Sequence, residues 1–335
     1  MSACRGCFIF FFMEIIKSRY CRFLSLFIPL QPNLHINRKK QKIVEMKIKD
    51  FFYTKRIKAL AALLLCTVMA VAQNGGTEKT GILLVHYGTQ NAQSRALTID
   101  RLNKRVGERF PDSKVVEAYA APTVIRTLGN KGIRKLSIAQ ALDSLKAMGC
   151  TRLAVQSTML LDGVMTDMLN REVAKAKKDF RRIEVARPLL YSVDDCRQMV
   201  AMIRKNLEAD KSLKAAKSQV VLVGHGSDSP ANAMYSQIDY LLKDEGMQSW
   251  HVGTIEGYPT IGCVERRLGT LKNKSVILVP LLYIAGNHQK EDIDGAWKTK
   301  LQEKGYSVSV VEKGLGEMPE IQDMIIGNIE KLLKK

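Results

Sequence analysis

The sequence predicts an α/β protein of two similar lobes, each a mainly parallel sheet covered by helices, with the two sheets facing a central cleft. Two patterns carry that reading. Short apolar runs stopped by glycine alternate with helical stretches, which implies buried parallel strands joined by right-handed βαβ crossovers. The second half then repeats the first, opening on QVVLVGHG (219–226) as the first opens on GILLVHYG (81–88). At 335 residues, 46% of them hydrophobic, the chain is long enough for two ordinary cores.

Residues 1–72 stand outside this scheme, because apolar and basic runs alternate there without amphipathic period. From Met46, five basic residues (Lys47, Lys49, Lys55, Arg56, Lys58) precede an apolar run from Ala59 to Ala72 that ends in Ala70-Val71-Ala72. That is the pattern of a secretory signal peptide cleaved before Gln73, and it places the true start at Met46. The run falls short of the roughly 20 residues a membrane span needs, so no stable span is expected in the mature form. The expected location is exported, in the periplasm, with a lipid anchor at Cys66 (LLLC) as the surface-exposed alternative.

The elements follow in order. GILLVHYG forms the first strand, a polar helix runs from Ala92 to Phe110, and after Pro111-Asp112 a second strand covers Lys114 to Tyr119. A helix over Ser137 to Met148 stops at Gly149. TRLAVQSTMLL (151–161) is the third strand, Val164 to Asp179 a helix, and RIEVARPLL (182–190) the fourth strand. WHVGTIEG (250–257), KSVILVPLLYIAG (274–286) and YSVSVVEKG (306–314) complete the second set. The third strands of the two halves end alike, in LLDG (160–163) and YIAG (283–286), as a duplication would leave them. The boundary falls within 195–217, dividing the chain into an upstream segment (1–72), an N-terminal lobe (73–200) and a C-terminal lobe (201–335).

Charge and cysteines narrow the function. The formal net charge is +19, but 13 basic and 3 acidic residues lie in 1–72, leaving 39 against 30, a net of +9. A modest positive field suits an anionic ligand. No stripe of basic residues interleaved with aromatics argues for nucleic acid. Of seven cysteines, only Cys150, Cys196 and Cys263 follow residue 72, too widely spaced for a CxxC site and best read as buried small hydrophobes. Neither opening strand is followed by GxGxxG, so no nucleotide is expected, and there is no GxSxG elbow. Self-association into a homo-oligomer is left open.

In open parallel sheets, chemistry sits beyond the C-terminal strand ends. Three of the four histidines after residue 72 stand there: His86, His225 and His288; His251 instead opens a strand and reads as structural. A lone histidine is usually a hydrogen-bonding core residue, but three on one rim point to metal or proton chemistry. GHGS (224–227) sets His225 between glycines, an arrangement also compatible with an ordinary strand-to-helix turn or a phosphate-binding loop.

VGHGS (223–227), GTIEGYP (253–259), VPLLYIAGNHQKEDIDG (279–295) with Trp297, and KGLGEMPEI (313–321) together resemble the class II anaerobic cobaltochelatases of the CbiK type, which insert cobalt into sirohydrochlorin. The resemblance runs from about Gly81 to Leu333. It implies a chelatase fold of two Rossmann-like lobes and a divalent ion, Co²⁺ or alternatively Fe²⁺, held by His225 and His288, imidazoles reaching it from opposite lobes. The ion would be firmly enough bound to shed water and loosely enough to pass to four pyrrole nitrogens. The family's third ligand is a glutamate after the first lobe's third strand, where VQSTMLLDGVMTDML (155–169) instead places Met165; the histidine that often precedes that turn is replaced by Met159. Met165 is then a soft metal ligand or a space-filling side chain. His86 is a candidate replacement ligand or base, and Glu256 a candidate carboxylate. Arg95, Arg126, Lys290 and Lys131 are candidate partners for the acidic side chains of a tetrapyrrole, sirohydrochlorin or haem. Two functions remain open: a chelatase, and a haem or metal carrier that has lost the glutamate.

Overall fold

A computed structural model describes residues 78–334 together with Met46; the expected signal peptide and Cys66 lie outside the described residues. Each half of the described chain forms one four-stranded parallel sheet. The first contains β1 (Thr80–His86), β2 (Lys114–Tyr119), β3 (Arg152–Ser157) and β4 (Arg182–Val185), in the order β2-β1-β3-β4. The second contains β5 (Gln219–Gly224), β6 (Trp250–Thr254), β7 (Ser275–Leu281) and β8 (Ser307–Val310), in the order β6-β5-β7-β8. The identical order realises the internal duplication, and β3 and β7, the strands with similar ends, are topologically equivalent.

The strands are shorter than their apolar runs because the C-terminal residues of those runs leave the ladder to form loops. β5 ends at Gly224 and β7 at Leu281, so His225 and His288 stand in the turns beyond rather than on the strands. The inner strands β1, β3, β5 and β7 are buried on both faces along nearly their whole length. In β1, Ile82 and Leu84 join one core while Leu83 and Val85 join another. In β5, Val220 and Leu222 separate in the same way from Val221 and Val223. The period of two of a strand therefore serves two different helical layers.

The helices are α1 (Arg101–Arg109, entered through Ala92–Arg95 and a π-helical turn Ala96–Asp100), α2 (Pro122–Asn130), α3 (Ile138–Ala147), α4 (Val164–Ala176) and α5 (Val193–Ala209). They continue with α6 (Ala233–Asp244), α7 (Ile261–Gly269), α8 (Lys298–Glu303, after a π-helix His288–Trp297) and α9 (Pro319–Lys334). Caps set several starts. Ser137 and Ser192 each accept from the backbone N–H three residues on, and Gln140 and Asp195 return the bond.

The lobes are not consecutive packages. α5 follows the first sheet but puts Cys196, Met199, Ile203 and Leu207 into a core shared with Val220, Leu222 and Ile238 of the second half. α9 ends the chain yet lies against β3 and α1, where Arg109 meets Glu330 at 2.6 Å and Arg152 donates to Leu333 O at 2.7 Å. A division near residue 200 thus runs through the middle of α5, and one core joins Ile82, Leu84 and Ala154 to Ile277, Val279, Ile321 and Ile325. Cys150, Cys196 and Cys263 are buried free thiols, as expected.

Candidate metal centre

The turn after β5 is built around two glycines. A Cβ on Gly224 would come within 2.1 Å of the Tyr235 ring, and one on Gly226, at φ +89°, within 1.3 Å of the Glu256 carbonyl oxygen. Only glycine permits both approaches. The loop after β6 then fastens the turn: Ile255 N donates to Gly224 O (2.9 Å), Glu256 N donates to His225 O (2.7 Å), and Asn232 Nδ2 donates to Tyr258 O (2.6 Å). The segments GHGS and GTIEGYP are two halves of one scaffold, with His225 half-buried at its edge.

His288 opens the π-helix after β7. Ile293 and Trp297, both buried, anchor that helix, and the Trp297 ring fills the space a side chain on Gly253 would take. Gly314 and Gly316 allow the following loop to lie against Tyr283, Ile284 and Ala285, just before His288, which gives KGLGEMPEI its place. The result is a pair of imidazoles 4.6 Å apart between ring centroids, at an interplanar angle of 87°.

Hydrogen bonding fixes the form of both rings. His225 Nδ1 lies 3.1 Å from Gly226 O and His288 Nδ1 lies 2.8 Å from the Asp292 carboxylate. A carbonyl and a carboxylate only accept, so each Nδ1 carries the proton. In the neutral ring that tautomer leaves the lone pair on Nε2, and neither Nε2 makes a hydrogen bond among the described residues. Two adjacent imidazoles are donors of the kind a borderline divalent ion accepts. No cluster of three or more His, Cys, Asp or Glu side chains positioned for a metal occurs among the described residues.

Both histidines belong to one lobe, since β5 and β7 are neighbours in one sheet; the expectation that opposite lobes supply them is corrected. His86 also leaves the site. It is fully buried, its Nδ1 is 3.2 Å from Thr158 Oγ1 and its Nε2 3.1 Å from Asn103 Oδ1, and burial pushes its pKa down to about 4 despite the Asn103 bond. With both nitrogens taken it is a structural residue. Met165 packs, half-buried, on the N-terminal core with Met159 and Met168, the space-filling alternative. The start of α4 nonetheless faces the histidine loop, because a Cβ on Gly163 would lie 3.6 Å from Ser229 Oγ.

Glu256 has an exposed side chain with no hydrogen bond among the described residues, while its backbone braces His225. Arg95 is already paired with Asp100 at 3.2 Å; Arg126, Lys131 and Lys290 are exposed. The residue not singled out from sequence is Asp292. Its spacing of four from His288 within HQKED was the available clue.

A family model described as "Cobalt chelatase (CbiK)" matches residues 80–334. The chain belongs to that family. Its relatives include the sirohydrochlorin cobaltochelatase of Salmonella typhimurium, 28% identical over 260 residues, covering 76% of this chain and 97% of the relative. The sirohydrochlorin cobaltochelatase CbiKC of Nitratidesulfovibrio vulgaris is 29% identical over 257 residues, covering 75% and 89%. Among solved structures, SirB from Bacillus subtilis with Fe³⁺ shares the fold at a TM-score of 0.55 and 16% identity, covering 76% of this chain and 95% of its own. The chain is accordingly a tetrapyrrole metal chelatase of the sirohydrochlorin cobaltochelatase family, with the class II chelatase architecture.

Proposed function

We propose that this enzyme inserts Co²⁺ into sirohydrochlorin, with His225 and His288 presenting the ion. The observation that carries the assignment of residues is the adjacent imidazole pair, each ring anchored through Nδ1 and with no hydrogen bond at Nε2 among the described residues. The ion enters with its water, exchanges water for Nε2 atoms, and then exchanges imidazole for pyrrole nitrogens. Two pyrrole N–H protons are released for each divalent ion inserted. Glu256, whose backbone braces the His225 turn, is the proposed first acceptor. Distortion of the macrocycle toward the ion is the transition-state feature that such a site would favour.

The test is anaerobic incubation of the chain from Gln73 with sirohydrochlorin and Co²⁺, followed by absorption spectroscopy. Metallation is expected, with His225→Ala and His288→Ala abolishing it. Failure of the wild-type chain to metallate sirohydrochlorin removes the proposal. A second reading, in which the chain handles iron and haem after export, is favoured by Met165 in place of the family's carboxylate and by the signal-like residues 46–72. Stoichiometric haem binding without turnover in either direction would select a carrier. A mature protein beginning at Gln73, read by intact mass after expression in the native host, would support export; an uncleaved chain would oppose it.

A further inference from the structure

His225 and His288 are anchored differently. His225 donates to the neutral carbonyl of Gly226, within a turn locked by Glu256. His288 donates to a charged carboxylate, Asp292 Oδ2, at 2.8 Å. The winding of the segment explains the contact: His288–Trp297 is π-helical, and its wider turn, bonded i to i+5, brings the fourth residue on more nearly over the first than an α-helix does. Ile293 and Trp297 bury the opposite side of the segment, so Asp292 holds the ring from a fixed base.

We infer that Asp292 is a positioning residue that makes His288 the stronger of the two metal ligands, the one that keeps the cation while His225 lets go first. A carboxylate accepting the Nδ1 proton holds the tautomer, restricts ring rotation and raises the basicity of Nε2; a carbonyl does this less. The site is therefore graded, and a graded site favours stepwise transfer to an incoming macrocycle. The inference rests on the reading of both histidines as ligands.

The test is a double-mutant cycle on the full chain, titrated without tetrapyrrole. Cu²⁺ serves as the probe because its greater affinity for imidazole keeps single-histidine variants measurable. Asp292→Ala is expected to weaken Cu²⁺ binding by about 10- to 100-fold, the range for loss of such a partner, with Asp292→Asn intermediate and Asp292→Glu partly restoring affinity. In a His288→Ala background, Asp292→Ala should cause no further loss. An equal loss in that background overturns the inference, since Asp292 would then be a direct ligand or a merely structural residue. Unchanged affinity in Asp292→Ala also overturns it. If His288→Ala itself leaves Cu²⁺ affinity intact, the ligand reading has failed instead. With Co²⁺ and sirohydrochlorin, Asp292→Ala should raise KM for the metal without lowering kcat; a fall in kcat at unchanged KM counts against graded release.

Discussion

At the residue scale, the position of His225 depends on an atom its neighbour lacks. Gly226 has a positive φ and no room for a methyl group, so Gly226→Ala must open the contact between the histidine turn and the Glu256 loop. Left-handed backbone alone costs an alanine about 1–2 kcal/mol. The expected outcome is a lowered urea midpoint together with loss of the Co²⁺ absorption bands, read on the same sample. His86 and His251 make a second expectation. Both are buried and held neutral, with pKa values pushed down to about 4; for His251 burial is aided by Lys243 and Arg267. In the unfolded chain they titrate near 6.5, so the unfolded state binds more protons below that pH. Stability is therefore unaffected by these groups above about pH 6.5 and declines as pH falls from there toward 4, by on the order of 1–3 kcal/mol each. Denaturant titrations at pH 7 and pH 5 check this, and His86→Gln should flatten the decline.

At the element scale, the exposed margin of the second sheet shows how a polar side chain protects a strand. β6 lies at an edge, and α6 covers it: Asp239 Oδ1 accepts from Val252 N at 3.0 Å and Lys243 donates to Trp250 O. Both groups close off hydrogen-bonding positions that would otherwise recruit another strand. Asp239→Ala would strand a buried N–H and also free Arg267, which pairs with Asp239 at 2.6 Å. A loss of about 1–3 kcal/mol and a greater tendency to aggregate are expected, measured by thermal unfolding and light scattering. The succession of strands and helices was legible in the sequence because apolar runs recur with helical stretches between them, whereas the order of strands within each sheet was not read from it. Strand ends were not legible either, since Pro280 to Gly286 reads as one continuous run and only tertiary contacts with Gly314 and Gly316 pull its end into a loop. The pattern placed His86, His225 and His288 at the strand ends, and the resemblance to the CbiK-type chelatases singled out His225 and His288. The burial of His86 was not legible, because Asn103 and Thr158, which occupy its nitrogens, are distant in sequence.

At the scale of the whole molecule, the two halves exchange helices, and this was hidden in a sequence that divides so evenly. α9 supplies Ile321, Ile325, Ile329 and Leu332 to the core at the first sheet, while Arg105 donates to Gln322 at 3.1 Å. Removing residues 319–334 strips that core, so the truncated chain should show neither lobe as an independent unit, and circular dichroism should report a globally unfolded protein. In the intact chain, a single core across both sheets implies one cooperative unfolding transition. Differential scanning calorimetry checks that expectation, and two separated endotherms would contradict it.

The origin of both imidazoles in neighbouring strands has a consequence for how the pair is kept together. Because β5 and β7 are hydrogen-bonded neighbours, the separation of the two rings is set inside one sheet. Under the proposed function, loading of the ion would then depend on the integrity of the second sheet alone.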